Sequence, residues 1–138
     1  MKHPDAARNQ DGIGSRELLV VSFGTSYPDS RRKTIGAIED GLEGAFPGWS
    51  IRRAFTSRVV LGLAAEREGL VMDDVDRALS RAQANGVEEL VIQPTHMLNG
   101  LEYRRLREQV EQRTAAFPRL RLGQPLLTSS EDFVQVAQ

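Results

Sequence analysis

Two short apolar runs in this chain stop abruptly in small polar residues, and each is followed by a long stretch with helical spacing. The first is Leu18-Leu19-Val20-Val21-Ser22-Phe23-Gly24-Thr25-Ser26. The second is Leu90-Val91-Ile92-Gln93-Pro94-Thr95-His96-Met97-Leu98-Asn99-Gly100. A continuous apolar run bounded by turn residues suits a strand buried on both faces. In open α/β proteins the loops at the carboxyl ends of such strands are where ligands bind. His96 lies in the second of these loops. It is the only histidine outside the polar N-terminal stretch.

The remaining elements follow from spacing and punctuation. After Pro28, with Asp29 or Ser30 as cap, Ile35, Ile38, Leu42 and Phe46 recur at helical intervals, and Pro47-Gly48 ends that helix. Ile51 to Phe55 predicts a second strand. Thr56 or Ser57 then caps a helix carrying Val59, Val60 and Leu63, which Gly69 breaks. Asp73 or Asp74 starts another helix, with Val75, Ala78, Leu79 and Ala82 on one face and Asn85-Gly86 at its close. Glu89 to Gln93 is the third strand. Asn99 caps a helix carrying Tyr103, Leu106 and Val110, which Pro118 ends. Leu120 to Leu122 is a fourth strand, and Thr128 or Ser129 caps a last helix with Phe133, Val134 and Val136.

Strands that alternate with helices predict a four-stranded parallel sheet with helices on both faces, in the flavodoxin-like manner. Right-handed crossovers place every strand-end loop on one edge. At 138 residues a single domain over 17–138 is expected, behind a disordered leader at 1–16 that lacks the apolar segment of a secretory signal. Four strands are few for such a sheet, so the chain reads as half of a larger assembly. The net charge of −1 speaks against a nucleic-acid surface. The absence of cysteine excludes thiolate catalysis, disulfides and cysteine-based metal sites. The apolar runs are too short to span a bilayer, and the expected location is cytoplasmic.

Several residues carry possible chemistry. His96 is a metal ligand, a proton shuttle, or simply a polar residue at a strand end. Glu102 stands three residues after Asn99, the spacing of a capping box; that reading is favoured over a metal-binding role. Ser22, Thr25 and Ser26 surround Gly24, where hydroxyls and free backbone N–H groups can receive an acidic ligand or serve as ordinary turn caps. Arg104, Arg105, Arg107 and Arg113 alternate with Glu108 and Glu111, the pattern of a solvated helix face. Arg52, Arg53 and Arg58 lie near the end of the second strand, where an anion can meet them. No nucleotide-binding glycine motif, P-loop or nucleophile elbow is present.

The strings LLVVSFGTSYPDSRRKTI, RRAFTSRVV, VIQPTHMLNGLEYRRL and LRLGQPLLTS, in that order, closely resemble the anaerobic cobalt chelatases of the CbiK type, within the class II chelatases that include ferrochelatase. The resemblance covers nearly everything from Glu17 to Gln138, and the combination of strings is specific where each alone is weak. It implies a lyase that inserts cobalt into a tetrapyrrole, sirohydrochlorin or precorrin-2, during cobalamin synthesis. It also implies two similar α/β halves around a cleft, of which this chain resembles the N-terminal one. The metal-binding histidines and their carboxylate partner would belong to the absent C-terminal half. Aligned on their Gly-Thr and Pro…Gly landmarks, Phe23 stands where the first histidine would be and Glu102 near the second.

This half would therefore supply cleft wall, with Ser22, Thr25, Ser26, His96 and Asn99 facing the macrocycle. His96 would also be placed to ligate a haem iron or another metal. Small members of the superfamily pair as homodimers of single halves that carry both histidines, and this chain lacks that pair. Two other readings stay open: a non-catalytic tetrapyrrole-, haem- or metal-binding module that uses His96, and a plain flavodoxin-like domain with a small-molecule site.

Overall fold

The computed structural model describes residues 14–95 and 100–124. The expected Thr128/Ser129 helix, the 1–13 part of the expected leader, His96 and Asn99 lie outside the described residues. Four strands, β1 (Arg16–Ser22), β2 (Ser50–Phe55), β3 (Glu89–Pro94) and β4 (Arg119–Leu122), form one sheet. Its order is β2-β1-β3-β4, and every pairing is parallel. The α/β class with a four-stranded parallel sheet is as the sequence predicts.

A helical stretch joins β1 to β2: α1 (Pro28–Arg31), a π-helical turn (Arg32–Gly36) and α2 (Ala37–Ala45). Its N-cap is Tyr27, without a side-chain hydrogen bond and with Pro28 in the first turn. Neither Asp29 nor Ser30 caps it; the locked φ of proline suits the first helical position and starts the helix upstream of both. Next come α3 (Arg58–Glu68) and α4 (Val75–Ala84). Ser57 caps α3 by accepting from the Val60 N–H, and Asp74 caps α4 by accepting from the Arg77 N–H. Gly69 terminates α3 in the left-handed region. Helix α5 (Gly100–Glu111) joins β3 to β4, with a 3-10 turn at Thr114–Ala116 before the last strand.

Strand alternation divides the core. Leu19 and Val21 face α4 and α5, packing with Ala54, Leu79, Ala82, Ile92, Leu106 and Val110. Leu18 and Val20 face the other way, onto Ile38, Leu42 and Ile51. The inward stripe of α3 is Val60 and Ala64. Val59 is 72% exposed, because it falls on the helix's outer side.

The arginines of β2 depart most from expectation. Arg52 and Arg53 are both buried, and neither is offered to an anionic ligand; only Arg58 is exposed. Consecutive strand residues point to opposite faces, so the two arginines enter different cores. Arg53 meets Glu39 of α2, with Nε to Oε2 at 2.8 Å. Arg52 lies on the α4 side within the field of Glu17, Asp73 and Arg81, where Arg81 also pairs with Asp73 at 2.8 Å.

Glu17 is buried in that group. Burial pushes its carboxyl from 4.5 up to about 7; the Arg52 charge opposes the rise, Asp73 adds to it and Arg81 opposes it. The folded chain thus holds a proton that the unfolded chain releases. The stability this contributes is complete below about 4.5 and is lost as pH rises through about 7. The thermal midpoint is expected to fall between pH 5 and pH 8, by less in Glu17→Gln. Equal pH dependence in the two proteins would remove Glu17 as the cause.

Candidate functional site at the carboxyl edge of the sheet

In the order β2-β1-β3-β4 the chain leaves β1 toward one side for β2 and crosses to the other side for β3. The switch point therefore lies between β1 and β3, where ligands settle in open α/β sheets. The Val21 carbonyl accepts from the Thr95 N–H at 2.9 Å, so β1 and β3 stay paired up to the residue before His96. The Gly24 loop and the loop that opens at Thr95 thus depart from neighbouring strands at one edge.

The Gly24 loop is built rigidly. The Ser22 carbonyl accepts from the Thr56 N–H at 2.9 Å, and the Phe23 carbonyl from the Ser57 N–H at 3.2 Å. Gly24 has φ +99°, and a Cβ there would stand 2.6 Å from the Phe55 ring. Only glycine meets both demands. The Thr25 hydroxyl accepts from the Tyr27 N–H at 3.2 Å. The Thr25 carbonyl accepts from Arg31 Nε at 3.3 Å and Nη2 at 3.2 Å. Arg31 is fully buried and grips Glu68 of α3 with both terminal nitrogens, at 3.0 and 2.8 Å. A buried, paired guanidinium thus ties the rim loop to the far end of α3. Arg31 stands next to Arg32 in a polar run, and that local pattern gave no sign of it.

The structure sorts the expected residues. Ser22 is fully buried, and its Oγ has no hydrogen-bond partner, so its hydroxyl is not presented at the surface. Thr25 and Ser26 are half-buried at the edge. Glu102, in the first turn of α5, accepts a short hydrogen bond, 2.5 Å, from the Thr56 hydroxyl. That contact ties α5 to the end of β2. Among the described residues no three His, Cys, Asp or Glu side chains gather as a metal site.

A cavity of about 210 Å³ opens beside this rim, lined among others by Thr56, Arg58, Asp74, Glu102 and Arg105. Pockets that enclose a drug-sized ligand measure roughly 300–1,000 Å³. No helix among the described residues is long and apolar enough to cross a membrane.

A parallel sheet whose order reverses between β1 and β3, with a braced loop at that edge, defines an open α/β domain. The family model for cobalt chelatase (CbiK) matches residues 16–138, and the chain belongs to that family. It is 41% identical over 123 residues to a sirohydrochlorin cobaltochelatase of Salmonella typhimurium, a match over 89% of this chain and 47% of the relative. The chain thus spans about half the length of that relative.

Proposed function

We propose that this chain forms one lobe of a sirohydrochlorin cobaltochelatase and supplies a wall of the cleft in which cobalt enters the macrocycle. The observation that carries the reading is the pairing of β1 with β3 up to Thr95. It brings Thr25 and Ser26 to the same edge as Thr95, where the chain leaves β3. Hydroxyls and free backbone N–H groups suit the carboxylate arms of an acidic tetrapyrrole.

Metal insertion requires that two pyrrole protons leave and that the ion be handed over without a redox change. A neutral imidazole serves both tasks, as base and as ligand. His96 is one such group, and a second lobe would bring the others, from further sequence or from another chain. This lobe binds and orients; the metal-handling set lies across the cleft. Cobalt is the substrate ion, and the tetrapyrrole is sirohydrochlorin or precorrin-2.

Absorbance titration of the chain with sirohydrochlorin tests the reading. His96→Ala is expected to weaken binding roughly tenfold, the worth of one hydrogen bond to a charged group, with little change in thermal midpoint. A spectrum that does not move on titration of the wild-type chain would defeat the proposal. Cobalt insertion is expected only when a complementary lobe is supplied. Appreciable turnover by the chain alone would overturn the division of labour between lobes.

A further inference from the structure

The geometry points to Phe23 as the platform on which the macrocycle rests, a positioning and specificity-determining contact; this rests on the function proposed above. Phe23 is 42% exposed, while Ser22 before it and Gly24 after it are both buried. The carbonyls of Ser22 and Phe23 are each held by an N–H of the β2–α3 connection. Gly24 is pressed against the Phe55 ring with no room for a side chain. The backbone on either side is thus fixed, with the Phe23 ring left part-exposed. An aromatic side chain that the core does not use is held in water at the switch point of the sheet.

The surroundings agree. Five large apolar side chains are exposed among the described residues: Phe23, Tyr27, Val59, Val71 and Leu101. Phe23 and Tyr27 belong to the loop after β1. Val59 is in the first turn of α3, directly after β2, and Leu101 is in the first turn of α5. Four of the five thus sit on the carboxyl edge, on a surface otherwise rich in charge. Isolated exposed apolar residues are ordinary, but a group of them on a ligand edge marks a contact surface. A tetrapyrrole is wide, flat and apolar on its faces, with its carboxylates at the periphery. An aromatic ring offers it a stacking face, while Thr25 and Ser26 are placed for the periphery. The described notch between β2 and α5, about 210 Å³, is smaller than a pocket that encloses a drug-sized ligand, so the macrocycle is proposed to rest on the outward ring.

The test is an absorbance titration of the 138-residue chain with sirohydrochlorin, comparing wild type with Phe23→Tyr, Phe23→Leu and Phe23→Ser. The expected dissociation constants are within about threefold of wild type for Tyr, intermediate for Leu, and at least tenfold weaker for Ser. Thermal midpoints should stay within experimental error for all three, because the ring is outside the core; a purely structural role would move them together with binding. Equal affinity of wild type and Phe23→Ser would overturn this assignment and leave the proposed function standing. So would a loss of affinity that follows a loss of thermal stability. Failure of the wild-type chain to bind at all would defeat the proposed function, and Phe23 with it.

Discussion

Glu39→Ala is expected to lower the stability of this domain by about 3–5 kcal/mol, the usual cost of removing one partner from a buried ion pair. Glu39 and Arg53 have side chains only 1% exposed, and two hydrogen bonds join them, at 2.8 and 2.5 Å. The Arg53 guanidinium also lies 5.6 Å from the centre of the Phe55 ring and 3.7 Å from the Met72 sulfur. Those neighbours are soft but uncharged, and they do not replace a carboxylate. Against a typical total of about 5–15 kcal/mol, the loss should be plain in a urea denaturation midpoint. Replacing the pair together, as Glu39→Leu with Arg53→Met, is expected to cost far less, since no buried charge is left behind. A single-variant loss below about 1 kcal/mol would mean that water or another group reaches Arg53.

Gly24→Ala should cost about 2–5 kcal/mol, by two additive routes. A positive φ strains any residue with a Cβ by roughly 1–2 kcal/mol, and forcing a methyl group into occupied space costs roughly 1–3 kcal/mol more. The obstacles are rigid: Phe55 ring carbons at 2.6 and 2.7 Å and a Val60 methyl at 3.1 Å. Because Gly24 sits between Phe23 and Thr25, relief of the clash displaces the rim. Ligand affinity should therefore fall along with the denaturation midpoint. Phe55→Leu in the Gly24→Ala background makes room and should recover part of the stability. No recovery would show that backbone strain, not the ring, sets the cost.

Much of the fold was legible because its signals are local. The apolar runs at Leu18 and Leu90 became β1 and β3, and Val75, Ala78, Leu79 and Ala82 became the buried face of α4. Ser57 and Asp74 act as caps within three residues of their partners. The two loops that end the strands were found the same way. That β1 and β3 end side by side was an inference from strand order, now met by the Thr95–Val21 hydrogen bond. What escaped were the buried charges among the described residues. Arg52 and Arg53 read as surface residues near a ligand edge, yet each is buried on its own side of the sheet. Glu39 lies 14 positions from Arg53, and Glu68 lies 37 from Arg31. Ser22 looked available because a small polar residue at a strand end often is; burial at the β1 terminus withdrew its hydroxyl.

Periodicity and capping act over a turn or a few strand residues, so amino-acid order alone carried the elements, their alternation and the edge at which β1 and β3 end. The packing of distant segments assigned the carboxylate partners of the arginines, the brace on the Thr25 loop and the outward Phe23 ring. Those outcomes depend on which groups share a low-dielectric space, and only the folded chain brings such groups within reach.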